Sequence, residues 1–244
     1  MWTVVIEKKA CESDYNIKKI QNLLKEIHID SENYWLYILA CIHRSIVNER
    51  ASYAPEHNER LEFLWDAVLE LAITELLYKT YPNKTEWELT DIRSALVRWR
   101  NLSIIARKLQ LWNYLLLWNG EEKSWWRESD YILANTLEAL IWAIYLDLWY
   151  EISHKFIEDF IFPTLENIIE NRLYKDFKTL FQEESQARFD ITPRYDVHEE
   201  SWPDHDKTFI VWVYLWDKLY GTGSWSSKKK AQEKAAENAF NTLS

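Results

Sequence analysis

Asn58-Glu59-Arg60-Leu61-Glu62-Phe63-Leu64-Trp65-Asp66 opens a stretch in which apolar residues recur at three and four spacing as far as Leu77. That is the helical period. The same recurrence runs outward on both sides, through Ile17 to Ile27, Tyr34 to Ile46, Ile92 to Leu109, Ile132 to Leu146 and Ile152 to Ile161, with Pro82 and Pro163 standing where helices should stop. After Asn171 the pattern changes. A helix over Tyr174 to Gln186 is followed by alternating stretches, Arg194 to Glu199, Thr208 to Leu215 and Lys218 to Gly223, and then by a helix from Lys228 to Leu243. The chain of 244 residues therefore divides into an extension over 1–16, an all-helical domain over 17–168, a linker at 169–173 and a small α-β-β-β-α domain over 174–244. The fold class is mainly α.

Composition narrows the function classes. With 48% apolar and 28% charged residues the chain is globular, and no apolar run reaches the length of a membrane span. Glu7, Lys8 and Lys9 near the start leave no room for a signal peptide, and Cys11 and Cys41 form no disulfide framework. A cytoplasmic protein without a membrane partner is expected. The net charge of −10 speaks against a nucleic-acid partner unless the cations are clustered. They are. Residues 173–244 hold 10 Lys or Arg against 12 Asp or Glu, and four of those cations, Lys228, Lys229, Lys230 and Lys234, open the last helix. Cations there oppose the helix dipole, and phosphates outside would reverse that cost. On charge alone a solvated basic face is the other reading.

The opening stretch carries the chemistry. Glu62 and Asp66 stand four apart and share a helix face, where like charges repel by about 0.2–0.5 kcal/mol. A divalent cation would make that spacing favourable. A second helix offers Asn135 and Glu138, three apart, inside the apolar run Ile132-Leu133-Ala134 … Ala139-Leu140-Ile141. Mg²⁺ takes a few hard oxygen ligands and keeps several waters, so two helices each presenting such a pair make a sensible cage. Spacing alone also suits two solvated faces, but a carboxylate within an apolar stripe needs a partner. Cys41, His43 and His57 lack the compact pairing of a zinc site.

Asn58 to Leu64 with Asp66-Ala67-Val68-Leu69-Glu70 resembles the signature helix of the ribonuclease III family, and His43-Arg44-Ser45 resembles the motif before it. Leu89-Thr90, Arg93-Ser94-Ala95-Leu96-Val97, Tyr114-Leu115-Leu116-Leu117 and Ile132-Leu133-Ala134 with Glu138-Ala139-Leu140-Ile141 continue it in order. The resemblance covers nearly everything after residue 17. It implies that Glu62, Asp66, Asn135 and Glu138 are the metal positions, with Asp66 and Glu138 the catalytic pair. It also implies hydrolysis of phosphodiester bonds in double-stranded RNA with Mg²⁺, or Mn²⁺ in its place, giving 5′ phosphates and 3′ overhangs in rRNA and mRNA precursor processing. A homodimer through the endonuclease domain follows, with Phe63 as the interface aromatic by position. One position departs. Where the family has Asp this chain has Asn135, which keeps a ligating oxygen but removes a full charge. The rival expectation is therefore a catalytically weak protein that still binds duplex RNA.

Asp206-Lys207-Thr208-Phe209, Gly221-Thr222-Gly223-Ser224 and Ser227-Lys228-Lys229-Lys230-Ala231 resemble a double-stranded-RNA-binding domain, a module that reads A-form shape across two minor grooves. By position, Gln182, Glu183 and Gln186 would meet one minor groove and His205 the next. Lys228 and Lys229 would hold the phosphates between.

Glycine and tryptophan usage is inverted. The chain has 3 Gly and 15 Trp, where an average protein has about 7% Gly. Against the family pattern eleven tryptophans, Trp65, Trp87, Trp112, Trp118, Trp125, Trp126, Trp142, Trp149, Trp202, Trp216 and Trp225, stand where glycine is usual; Trp99 and Trp212 are compatible with such positions, and the pattern does not place Trp2 and Trp35. Trp216-Asp217 illustrates it locally, a two-residue turn where Gly-Asp would supply positive φ. Eleven such swaps at about 1–3 kcal/mol each would cost about 11–33 kcal/mol, against the roughly 5–15 kcal/mol that stabilises a domain. The expectation is a gene that spells glycine as UGA, written here as though UGA meant tryptophan.

Overall fold

The computed structural model describes residues 13–45, 59–117, 128–201 and 207–243, and the side chains of residues 59–66 and 201 lie outside that description. The chain forms two compact units, Met1–Asn171 and Arg172–Ser244.

The first unit is helical. Helix α1 (Asp14–Glu26) begins where the Ser13 hydroxyl accepts the Asn16 amide, so the helix starts within the stretch 1–16. Helix α2 (Tyr34–Ala40) is buried from Trp35 to Ala40. Helix α3 (Glu59–Thr80) stops just before Pro82, and α4 (Glu86–Leu96) opens on a capping box in which Thr85 and Glu88 satisfy each other's backbone N–H. The expected single helix from Ile92 to Leu109 is two, because Arg98 is extended (φ −64°, ψ 136°) between α4 and α5 (Trp99–Lys108). The Asn101 side-chain amide fills the break by donating to the Leu96 carbonyl.

Helix α6 (Asp130–Phe160) is the axis on which α2, α3 and α5 pack. By length and composition it would suit a membrane, yet most of it is buried within the unit as a core helix, where Leu133, Leu137, Ile141 and Ile144 are fully enclosed. It is not continuous. At Trp149 the backbone leaves the helical region (φ 65°, ψ −169°) before resuming, which matches the separate periodic runs that end at Leu146 and restart at Ile152. Both sides of the break are anchored. Asp147 accepts from the buried Tyr37 hydroxyl (2.8 Å) and from the Asn33 amide (3.2 Å), and Tyr150 donates to Glu75 on α3 (3.1 Å). A short helix, α7 (Leu165–Glu170), ends the unit.

The second unit runs α8 (Phe177–Phe189), β1 (Arg194–Ser201), β2 (Thr208–Leu215), β3 (Lys218–Trp225) and α9 (Lys228–Leu243). The strands form one antiparallel sheet in the order β1-β2-β3. Period-two burial sends Val211, Val213 and Leu215 of β2 inward, against Phe181 of α8 and the small face Ala231, Ala235, Ala236 and Ala239 of α9. Helix α9 approaches β3 so closely that a Cβ on Gly221 would lie 2.7 Å from the Ala239 nitrogen, and one on Gly223 would press on the Ala231 carbonyl and the Ala235 amide. Only glycine permits that approach.

Candidate active site and RNA-binding surface

Two helices carry the acidic positions. Glu62 and Asp66 lie in the first turns of α3, with their side chains outside the described residues. Asn135 and Glu138 lie one turn apart on α6, Asn135 half-buried and Glu138 only 5% exposed. Helices α3 and α6 pack against each other, and the Tyr150–Glu75 hydrogen bond ties them downstream of Asp66 on one and of Glu138 on the other. His154 lies near the same carboxylate, its Nε2 3.6 Å from Glu75. Among the described residues no three His, Cys, Asp or Glu side chains gather as a metal cage.

The His43-Arg44-Ser45 segment is held by the parallel bridge of Ile42 with Leu116, through His43 N–H to the Leu116 carbonyl and Leu116 N–H to the Cys41 carbonyl. Ser45 folds back onto His43 Nδ1, its hydroxyl at 3.0 Å and its amide at 3.4 Å. Cys41 beside it is enclosed, and burial pushes its thiol up to about 12. That leaves a structural thiol. His57 and Phe63 fall among the residues whose side chains are not described.

In the second unit Gln182, Glu183 and Gln186 are all exposed on α8. The helix is capped by Asp176, which accepts the Thr179 amide at 2.8 Å. Glu183 pairs with Lys175 and Gln186 donates to Asp190, so these two side chains are held along the helix surface. His205 lies outside the described residues. Ser227 caps α9, accepting Ala231 N–H on its carbonyl and Lys230 N–H on its hydroxyl. The four cations that follow have different fates. Lys234 pairs with Glu237 (2.7 Å) and Lys230 lies over the Trp225 ring, whereas Lys228 and Lys229 are exposed and, among the described residues, form no ion pair. A first turn without acids and with two uncommitted lysines is what an outside anion requires.

Several contacts that position the site were not read from the sequence. Asp147 and Tyr37 meet across the chain, as do Glu75 and Tyr150, and no local pattern announces such pairs. The Thr85-x-x-Glu88 capping box, by contrast, has a local signal in the sequence.

Comparison with known proteins places these features. Residues 33–165 match the family model described as ribonuclease-III-like, and residues 177–243 match the double-stranded RNA binding motif. Ribonuclease 3 of Borreliella afzelii is 40% identical over 233 residues, covering 96% of this chain and 95% of that protein. Ribonuclease 3 of Desulforamulus reducens is 44% identical over 211 residues, 86% of each chain. Among solved structures, the ribonuclease III nuclease domain of Campylobacter jejuni, described for flexibility in its dimer-forming region, superposes with a TM-score of 0.54 at 33% identity, covering 59% of this chain and 96% of that one. The chain belongs to the ribonuclease III family, endoribonucleases in which a helical nuclease domain is here followed by a double-stranded-RNA-binding domain.

Proposed function

We propose that the chain cleaves double-stranded RNA by metal-dependent hydrolysis of phosphodiester bonds, with Mg²⁺ held by Glu62, Asp66, Asn135 and Glu138 and with Mn²⁺ able to substitute. The observation that carries this reading is Glu138, a carboxylate 5% exposed on an otherwise apolar helix face, one turn beyond Asn135, on the helix that packs against the one bearing Glu62 and Asp66. Three carboxylates and one amide are hard oxygen donors, which fits Mg²⁺ and does not fit a soft metal.

A bound cation supplies an activated water and charge stabilisation for the leaving 3′ oxygen. The protein's own part is placement. Asp66 and Glu138 are the pair assigned to the reacting phosphate, Glu62 completes the α3 pair, and Asn135 would contribute an oxygen with no charge, so this site would grip its cation less firmly than one with Asp there. The apolar neighbours of Glu138 keep bulk water from its flank, which strengthens its field at the phosphate. Lys228 and Lys229 hold backbone phosphates, while Gln182, Glu183, Gln186 and His205 enter the two flanking minor grooves. A homodimer through the nuclease domain gives one site per strand, hence 5′ phosphates and 3′ overhangs. Processing of rRNA and mRNA precursors in the cytoplasm is the corresponding role.

Asn135 favours a second reading, a binding protein with little catalysis. Incubation of the purified chain with long duplex RNA and Mg²⁺ separates the two. Cleavage that Glu138→Gln removes while gel-shift binding stays intact supports the enzyme. Binding with no cleavage in Mg²⁺ or Mn²⁺ refutes it, and cleavage regained in Asn135→Asp would trace the loss to that position.

A further inference from the structure

One tryptophan occupies backbone that tryptophan does not adopt, and a second stands at positive φ in a two-residue turn. At Trp149, φ is 65° and ψ −169°, a region populated essentially by glycine because the Cβ of any L-residue collides there with its own backbone. It differs from the left-handed helical conformation of Gln110 (φ 50°, ψ 35°) and Asp190 (φ 58°, ψ 40°), which residues with side chains take at modest cost beside helix ends.

Nothing lets residue 149 relax. The residues before it are fixed by Asp147, which accepts from Tyr37 and Asn33, and those after it by Tyr150 on Glu75. The Ser153 hydroxyl donates to the carbonyl of residue 149 itself at 3.0 Å. The indole gains little in return, being 63% exposed with an edge contact to Tyr145 at 6.1 Å between centroids. Trp216 repeats the pattern in the other unit. It is the first of two loop residues between the paired Leu215 and Lys218, with φ 51°. A two-residue hairpin whose first loop residue has positive φ is a glycine position. That side chain is exposed too, with an edge contact to the Phe189 ring.

The structure also says where tryptophan costs nothing. Trp87 lies on α4 in ordinary helical backbone, pointing into solvent, so its conformation does not demand glycine. Among the described residues, tryptophan at positive φ occurs at two positions, one in each unit, within a chain that has 15 Trp and 3 Gly.

We propose that the natural chain carries glycine at positions 149 and 216. The codon written there as tryptophan is read as glycine in the organism of origin, and UGA is the one codon whose meaning varies in the way this requires. The α6 break and the β2–β3 turn are then unstrained.

Peptide sequencing by mass spectrometry of the chain isolated from the cells that make it decides the matter. The tryptic peptides 128–155 and 208–218 contain the two positions. Glycine at both is expected, and tryptophan at either overturns the inference there. An independent readout uses protein expressed from a synthetic gene. Replacing Trp149 by Gly should raise the thermal midpoint of the nuclease unit by about 2–12 °C, from strain of the usual size spread over a unit of that length. Trp216→Gly should raise that of the C-terminal unit, whereas Trp87→Gly should leave its midpoint unchanged or lower it, since glycine weakens a helix interior. An unchanged or lowered midpoint in Trp149→Gly counts against the inference even if the peptides are never recovered.

Discussion

Gly223→Ala is the smallest change that should take the RNA-binding unit apart. The new Cβ would fall well under 3.0 Å from the Ala231 carbonyl and the Ala235 amide, both of them backbone atoms of α9 that no rotamer change can move. Restoring an ordinary contact of 3.4 Å requires the helix to retreat by about 1 Å. A gap of that size forfeits about a quarter to a half of each dispersion contact along the face. That face includes Ala231, Ala235, Ala236 and Ala239 against Val211, Val213 and Leu215, all fully buried. A cost of about 3 kcal/mol or more follows, at the upper end of overpacking effects. A unit spanning Arg172–Ser244 is stabilised by only about 4–11 kcal/mol, so its midpoint should fall by roughly 12–24 °C. Amide exchange of the intact chain, followed with temperature by mass spectrometry, reads the unit separately through peptides from β2 and β3. Duplex-RNA binding should fail at the same temperature. If the midpoint of these peptides stays within a few degrees of the parent, the close approach of α9 to β3 is not what holds the unit together.

Lys228→Ala and Lys229→Ala should each weaken duplex-RNA binding evenly across sequences and reduce the slope of log affinity against log salt by about 1, measured by titration at several salt concentrations. An unchanged slope would mean that these lysines do not meet phosphates. Glu88 is held down to about 2 by hydrogen bonds from the Thr85 amide, from Lys84 and from the Thr85 hydroxyl. A carboxyl with a lowered folded value stabilises fully above its ordinary 4.5 and loses that contribution as pH falls through about 2. The melting difference between the parent and Glu88→Gln should therefore be constant near neutrality and shrink across that window; a difference independent of pH would contradict the capping role. Cys41, buried and with its thiol pushed up to about 12, should resist alkylation in the folded chain and label only on unfolding, as peptide mapping will show.

Much of this was legible in the residues because the relevant signals are local. Helical period marked α3 and α6, alternation marked β2, and the i,i+4 and i,i+3 spacings put Glu62 with Asp66 and Asn135 with Glu138 before any fold was known. Other features depend on partners distant in the chain. The run from Ile92 to Leu109 is periodic throughout, so nothing in it foretold that Arg98 would turn extended and let Asn101 cap what precedes it. The four lysines of α9 looked alike in sequence. Only the fold, by setting Glu237 near Lys234 and Trp225 under Lys230, showed that Lys228 and Lys229 are the uncommitted ones. The burial of Glu138 was suggested by its apolar flanks, whereas the anchors Asp147 and Glu75 required the packing of α2 and α3 on α6.

The interruption of α6 at residue 149 acts as a reset of helical phase. In an unbroken helix each inserted residue rotates everything beyond it by about 100°, so the direction of Asn135 and Glu138 would be tied to every contact as far as Phe160. With the break, the two segments have separate anchors, Asp147 with Tyr37 and Asn33 before it and Tyr150 on Glu75 after it, within the packing of α2, α3 and α5 on the helix. Substitutions that reshape the packing of Ser153, Phe156 or Ile157 can then accumulate without turning the acidic pair away from α3, and the two halves of one helix are free to evolve as separate parts.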